Sequence, residues 1–479
     1  MSIASLVLRA PTHTPLAASI MTMFALTAPA ANSATIWHVN TCAEGVSGNS
    51  TTRTGTLRFA LANAASGLNS ATSDIVVIAL PSSCHSTISL TTGALAVTQN
   101  FLDIVGPPGR VTITAQGSPV KDRIVTHTGN GTLTLTNLNL QDGQAATQSS
   151  EHGGCIYSKS SISLYNAGVY DCSAKSASIG GTAYGGGVFT AKDLRLNYST
   201  LSGNGTAAAT AVSSGGGAYV RGYLFSRYST ISYNKANGIY GRGGGVYLAG
   251  KGANIGASTI SGNTARKDFG GVALRGSLGA TITNSTISGN TATEGVVGGL
   301  YASVPLTLQN STIAFNSAAL GMRNGHYTTA GVAIGQHAGT LAVTLRSTLI
   351  SNNTYMSGAN VVASDFSTSG TLDFGSSADN LVYAAPGLAL TGIATTGACP
   401  MLGPLRDNGG QTWTHQLLSH SSALDAGDNV AALNSDQRGT PFKRESGPAG
   451  FAPVADIGAY EVQQDDVIFN SSFDGCPSG

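Results

Sequence analysis

Five basic residues return at similar places along a chain of 479 residues: Lys159, Lys192, Arg221, Lys251 and Arg275. Each follows, by two to four residues, a position that reads Tyr157, Phe189, Tyr219, Tyr247 and Ala273, and that reads Tyr301 in the next copy. Cations beside a column of aromatic rings suit the electrostatic capture of a polyanion, with ring faces stacking on sugars. Strand-stabilising tyrosines and edge-guarding lysines would give the same letters with no ligand at all. The candidate ligand-binding residues are therefore Lys159, Lys192, Arg221, Tyr219, Tyr247, Lys251 and Arg275.

Acid–base chemistry on a sugar chain would need paired carboxylates, and a calcium site would need several oxygen ligands together. Residues 151–350 contain only Glu151, Asp171, Asp193, Asp268 and Glu294 as acids, and no two share a repeat position. The C-terminal acids Asp407, Asp425, Asp428, Asp436 and Asp456, with Asn408, could hold calcium; equally, they could cap turns and pair with Arg406 and Arg438. His127, His152, His326, His337, His415 and His420 are scattered without the spacing of a catalytic triad or a zinc site. The glycine runs lack the Lys-Ser/Thr of a phosphate loop. No catalytic residue, no metal ligand and no cofactor other than a possible calcium ion follows from these patterns.

Overall charge is near balance, with 24 Lys/Arg against 23 Asp/Glu. Its distribution is uneven: residues 151–350 hold 14 Lys/Arg and 5 Asp/Glu, whereas residues 351–479 hold 4 and 13. The first 34 residues read as a secretory signal, with Arg9 as the only charge, an apolar run from Leu16 to Ala28 and small-residue cleavage sites after it. Six cysteines in an exported chain favour disulfides; neighbourhood along the chain suggests Cys42–Cys84, Cys155–Cys172 and Cys399–Cys476, among about 15 connectivities. An exported location points to an acidic glycan or lipopolysaccharide as partner rather than nucleic acid, and to a monomer.

The residues above are placed by a repeat. Ser-Thr-Ile/Leu-x-x-Asn recurs and ends at Asn204, Asn234, Asn263, Asn290, Asn316 and Asn352, with Cys172 and Gly143 in the same place in degenerate copies. A second column, "GGCIY", "GGGVF", "GGGAY", "GGGVY", "GGVA", "GGLY" and "AGVA", advances with it. A period of 26 to 36 residues, short segments alternating with period 2 and no helical stripe predict a right-handed parallel β-helix, an all-β solenoid. In it Ile287 and its equivalents face the core, and the asparagines stack as a structural ladder at a turn. Gly-Gly allows a positive φ or a close backbone approach. "GTLRFALANAASG" (55–67) predicts an N-terminal capping helix with Leu57, Ala60 and Leu61 on one face and Gly67 at its end.

On these motifs the chain resembles pectate-lyase-like β-helices of bacterial surfaces, with repeats like those of polymorphic outer-membrane proteins. The 55–67 segment is similar to the start of many secreted β-helices, although only Leu57, Arg58 and Ala60 match. "LGPLRDNGGQTWTHQLLSHSSALDAGD" (402–428), "DQRGTP" (436–441) and "ADIGAYE" (455–461) together resemble a choice-of-anchor Q region. The resemblance implies a bacterial exported or surface-associated protein. The expected organisation is a signal at 1–34, cap and first coils at 35–135, repeats at 136–390, an anchor-type region at 391–464 and a tail at 465–479. The expected function is adhesion or binding of acidic polysaccharide without catalysis. A polysaccharide lyase or glycoside hydrolase is one alternative; a structural stalk displaying the C-terminal region is another.

Overall fold

The structure is a computed structural model that describes residues 34–65, 72–176, 178–320, 322–323, 326–327, 329–335, 339–447, 452–464 and 466. The expected secretory signal up to residue 33, Gly67, His337, the expected tail other than Asp466 and the expected Cys399–Cys476 pairing lie outside these residues.

Runs of three or four residues alternate apolar and polar between tight turns, so each coil is made of four short strands. One coil runs through Val246–Leu248, Ala253–Gly256, Thr259–Ser261 and Thr264–Ala265, and then loops to Val272–Leu274 of the next coil. Each strand pairs in parallel with its counterpart one coil on: Val246 with Val272, Ile255 with Ile282, Ile260 with Ile287, Ala265 with Ala292. The four strands of this coil belong in turn to sheets of 10, 14, 12 and 9 strands, called here sheets IV, I, II and III. The chain is thus an all-β parallel β-helix. Leu201, Ile231, Ile260, Ile287, Ile313 and Ile350 line its interior, none more than 1% exposed.

At the turn between sheets II and III, Asn204, Asn234, Asn263, Asn290 and Asn316 are fully buried. The Nδ2 of Asn204 donates to Asn234 Oδ1 at 2.9 Å, and the same bond joins Asn234 to Asn263, Asn263 to Asn290 and Asn290 to Asn316. The second Nδ2 hydrogen goes to a carbonyl of the preceding coil, as from Asn263 to Ile231. The glycine column exists for these amides. A Cβ on Gly187, Gly217, Gly245, Gly271 or Gly299 would fall 2.9–3.1 Å from the amide carbon of the asparagine it covers. The first glycine of the motif has its own constraint, with φ between 65° and 69° at Gly153, Gly185, Gly215 and Gly243.

The last asparagine rung is Asn353 and not Asn352. Asn316 Nδ2 donates to Asn353 Oδ1 at 2.8 Å. The strand pairing explains the shift: Ile350 sits opposite Ile313, so this coil has slipped by one residue relative to its "STL" letters. Asn352 instead occupies the left-handed turn position of Phe315, with φ of 60° against 57°. Both ends of the ladder are closed by other chemistry. Asn353 N and Nδ2 donate to the carboxylate of Asp365 at 2.9 and 2.7 Å. At the other end Cys172 takes the asparagine place, Cys155 takes the glycine place, and the two are joined as a disulfide. The Cys42–Cys84 disulfide is also formed.

The capping helix spans Leu57–Asn63, shorter than its sequence suggests; Thr56 accepts the Phe59 N–H, and Leu57, Ala60 and Leu61 are buried. It ends at Ala64, before Gly67. At the other end of the chain the last strand of the stack is Ala394–Thr396. The segment beyond it does not stand out from the solenoid, as a displayed stalk tip would. It lies back along the middle coils of sheet II, because the outward Thr of each repeat offers it a hydroxyl. Thr259 Oγ1 donates to the Trp413 carbonyl, Thr286 Oγ1 donates to Gln437 Oε1, and Thr312 Oγ1 accepts from Ala459 N.

Candidate ligand-binding face

Sheet IV carries the aromatic column. Tyr157, Phe189, Tyr219, Tyr247, Ala273 and Tyr301 follow one another in register, while Ile156, Val188, Ala218 and Val246 beside them point inward. Parallel strands in register place these rings directly above one another, about 5 Å apart. The faces therefore meet each other: centroids are 5.4 Å apart for Tyr157–Phe189, 5.8 Å for Phe189–Tyr219 and 5.4 Å for Tyr219–Tyr247, all nearly parallel. His152 and Tyr184 stack on Phe189 and Tyr219 from the neighbouring turn strands, and Phe269 stacks on Tyr301 across the gap left by Ala273. Phe189 is 2% and Tyr219 9% exposed. Ring faces open to sugars were expected from strand alternation; the column instead spends them on itself. Burial, and then Tyr184 and Tyr247, raise the Tyr219 phenol above its ordinary range.

The cations form two staggered rows rather than one stripe. Lys159, Arg221 and Arg275 each lie two residues past the ring position, and the coils between them place Ala191 and Ala249 there, as the backbone bonds along this corner show. Lys192 and Lys251 lie one or two residues further along their coils, in the turn toward sheet I. Same-row cations are thus two coils, roughly 10 Å, apart. That is about one Debye length at 0.1 M salt, so the like-charge cost expected of adjacent coils is largely relieved. All five side chains are exposed. The two rows lean apart. The Arg221 guanidinium sits 5.3 Å from the Phe189 ring centre, and that of Arg275 sits 5.7 Å from Tyr301. Lys251 Nζ is 5.3 Å from the Tyr223 ring, and Lys192 Nζ donates to the Asn130 carbonyl at 3.0 Å.

The acids of this region are structural. Glu151 is buried and paired with Arg123 at 3.0 Å; Asp268 is buried beside Arg242 at 3.5 Å; Asp193 accepts the Tyr223 N–H. Burial, with Arg221 and Arg123 nearby, pushes His152 down to about 4, so its ring is neutral at pH 7. Sequence reasoning counted His152 only among scattered histidines and missed Tyr184 and Arg242, although each of the three directly precedes a Gly-Gly motif; it also missed Arg123, which no repeat marks. In the C-terminal region Asp436 pairs with Arg438 at 2.8 Å, Arg444 pairs with Glu461 at 2.6 Å, and Asp428 meets Arg346 at 3.1 Å. Asp456 accepts backbone N–H groups of Asp425 and Val462, whereas Arg406 bonds Asn408 and Gln416. Among the described residues no three His, Cys, Asp or Glu side chains come together as a metal site.

No protein family and no curated protein matches this chain. Among solved structures it is similar to a pectate lyase, Pel9A, at 12% identity and a TM-score of 0.47, over 90% of this chain and 96% of that one. The β-helix assignment rests on the strand pairing described above. The resemblances to outer-membrane repeats and to a choice-of-anchor Q region rest on the quoted motifs alone.

Proposed function

We propose that the chain is an exported β-helix protein that holds an acidic polysaccharide, free or as part of a lipopolysaccharide, along the corner between sheets IV and I. The observation that carries this reading is the pair of staggered cation rows, exposed and backed by a stack of rings of which Phe189 and Tyr219 are buried. A polyanion laid along the solenoid axis would meet a positive group at each coil from Lys159 to Arg275, alternately on one side and the other. Attraction, not stacking, supplies the affinity, since the ring faces are occupied. The ring column fixes where the arginines stand. Binding without catalysis is favoured because Glu151, Asp193 and Asp268, the acids nearest the rows, are already engaged as ion-pair partners or backbone acceptors. Two disulfides fit an oxidising compartment outside the cytoplasm.

The test is retention of the chain on immobilised polygalacturonate and heparin across a salt gradient, with neutral dextran as control. Replacing Arg221, Arg275, Lys192 and Lys251 by Ser should abolish retention at moderate salt and leave the melting temperature within a few degrees. Undiminished retention of that variant would refute the reading. Release of unsaturated or reducing ends by the wild type would turn it into that of an enzyme.

A further inference from the structure

Sheet II carries a feature that the acidic-glycan reading does not use. Its two rims are turn positions with left-handed backbone in every repeat coil. One rim reads Asn137, Asn166, Tyr198, Tyr228, Ala257, Asn284 and Asn310; the other reads Asp171, Gly203, Tyr233, Gly262, Gly289 and Phe315. Asn, Asp and Gly tolerate this conformation, whereas a bulky side chain is strained there by about 1–2 kcal/mol. Four aromatic residues accept that strain. For Phe315 the reason is visible, since its ring lies 4.9 Å from His415 beneath the C-terminal region. Tyr228 borders the same region, beside Gly439. Tyr198 and Tyr233 stand outside that cover, 40% and 59% exposed at φ of 51° and 56°; Tyr198 stacks on Tyr228 at 5.1 Å and meets Tyr165 edge-on at 5.9 Å, whereas Tyr233 has only Gly262 beneath its ring.

Between these tyrosines lies the part of sheet II that the C-terminal region leaves open. Its outward residues are Tyr170, whose ring covers Gly168, with Thr200, Ser202, Thr230 and the more buried Ser232, which donates to Ser202 Oγ at 3.2 Å; none of them is charged. The equivalent hydroxyls of the covered coils, such as Thr259 and Thr286, are hydrogen-bonded by the C-terminal region. Trp413, 48% exposed, stands in that region at the border, its carbonyl bonded to Thr259. Tyr233 is flanked in its column by Gly203 and Gly262, so no ring stacks on it from either neighbouring coil, unlike the rings of sheet IV. A flat, uncharged strip of hydroxyls with rings at its rims matches the hydroxyls and C–H faces of sugar rings.

We infer that the open half of sheet II is a second binding face, for a neutral polysaccharide chain. The strain at Tyr233 is retained because this ring contacts the ligand, as backbone outliers at binding sites often do, and Tyr198, held by its stack on Tyr228, offers a second ring across the strip. The face is separate from the cation rows and stands or falls independently of them.

The repeat itself supplies the test variant. Tyr198→Asn with Tyr233→Gly installs the residues other coils use at these positions, so folding is not at risk. The probes are xylan, mixed-linkage β-glucan and galactomannan in native affinity electrophoresis. The expected result is that the wild type is retarded by at least one of them, and that Y198N/Y233G loses tenfold or more of that affinity. Its melting temperature should stay within a few degrees of the wild type, since relief of backbone strain offsets the lost Tyr198–Tyr228 stack, and the Arg221/Arg275/Lys192/Lys251 variant should be retarded like the wild type. Absence of retardation of the wild type by all three glycans would overturn the inference. So would unchanged retardation of Y198N/Y233G.

Discussion

Asn352 and Asn353 are adjacent, and the repeat letters and the strand register disagree over which one holds the ladder together. Replacing Asn353 by Ala removes acceptance from Asn316 N and Nδ2 at 3.0 and 2.8 Å and donation to the Ile313 and Ser351 carbonyls at 3.0 Å each. It also removes one donor, at 2.7 Å, from the Asp365 carboxylate. The Asn316 amide keeps its bonds to the Ile287 and Ala314 carbonyls, so the main losses are the Asn316 N–H and the carboxylate bond. A buried unpaired donor costs about 1–3 kcal/mol, and a hydrogen bond to a charged group contributes about 1.5–3, which gives roughly 2.5–6 kcal/mol for the substitution. Asn352→Gly, by contrast, relieves a left-handed backbone as it loses a bond from the Ser351 hydroxyl, so it should cost clearly less than Asn353→Ala. Guanidinium unfolding of both variants reads the difference. In a solenoid the loss should show first as separate unfolding of the C-terminal coils. Equal midpoints for the two variants, or a larger loss in Asn352→Gly, would refute the register argument.

Burial pushes Asp365 up to about 7, against an ordinary value of 3.8, despite the N–H groups of Asn353 and Ala384 that favour its charged form. Its folded pKa is raised, so its contribution to stability is complete below about pH 4 and is lost as pH rises through 7. The melting temperature of the wild type minus that of Asp365→Asn should therefore fall between pH 5 and pH 8; a flat or rising difference contradicts this. The Cys155–Cys172 disulfide occupies the place of a Gly–Asn pair. Cys155→Gly with Cys172→Asn should retain more stability than Cys155→Ser with Cys172→Ser, which loses about 3 kcal/mol of loop constraint and gains no ladder rung. Thermal melts of the two variants rank them, and equal melts would mean that the rung is not rebuilt.

Much of the fold was legible because two sequence columns describe one contact: the glycine is small where the asparagine amide passes over it. The Asn352 assignment failed because a one-residue slip kept the letters of the motif and moved the core position from Leu349 to Ile350. The staggering of the cations was present in their two-to-four-residue offsets, yet it acquires meaning only once Ala191 and Ala249 are seen in the intervening coils. Strand alternation correctly turns Tyr247 outward and says nothing of what lies above and below it, so the stacked rings were misjudged as open. The docking of the C-terminal region was not legible at all. Thr259, Thr286 and Thr312 read as strand residues, and their partners Trp413, Gln437 and Ala459 are about 150 residues away.

The central claim is that a polyanion lies on the corner between sheets IV and I. Hydrogen exchange of the intact chain, with and without polygalacturonate oligosaccharides, tests it most directly. The account predicts slowed exchange at 191–193, 219–223, 249–251 and 273–277, lost at high salt and absent with neutral oligosaccharides of the same length. Protection confined to the C-terminal region, or no protection at concentrations where the chain is retained by the polymer, would contradict it.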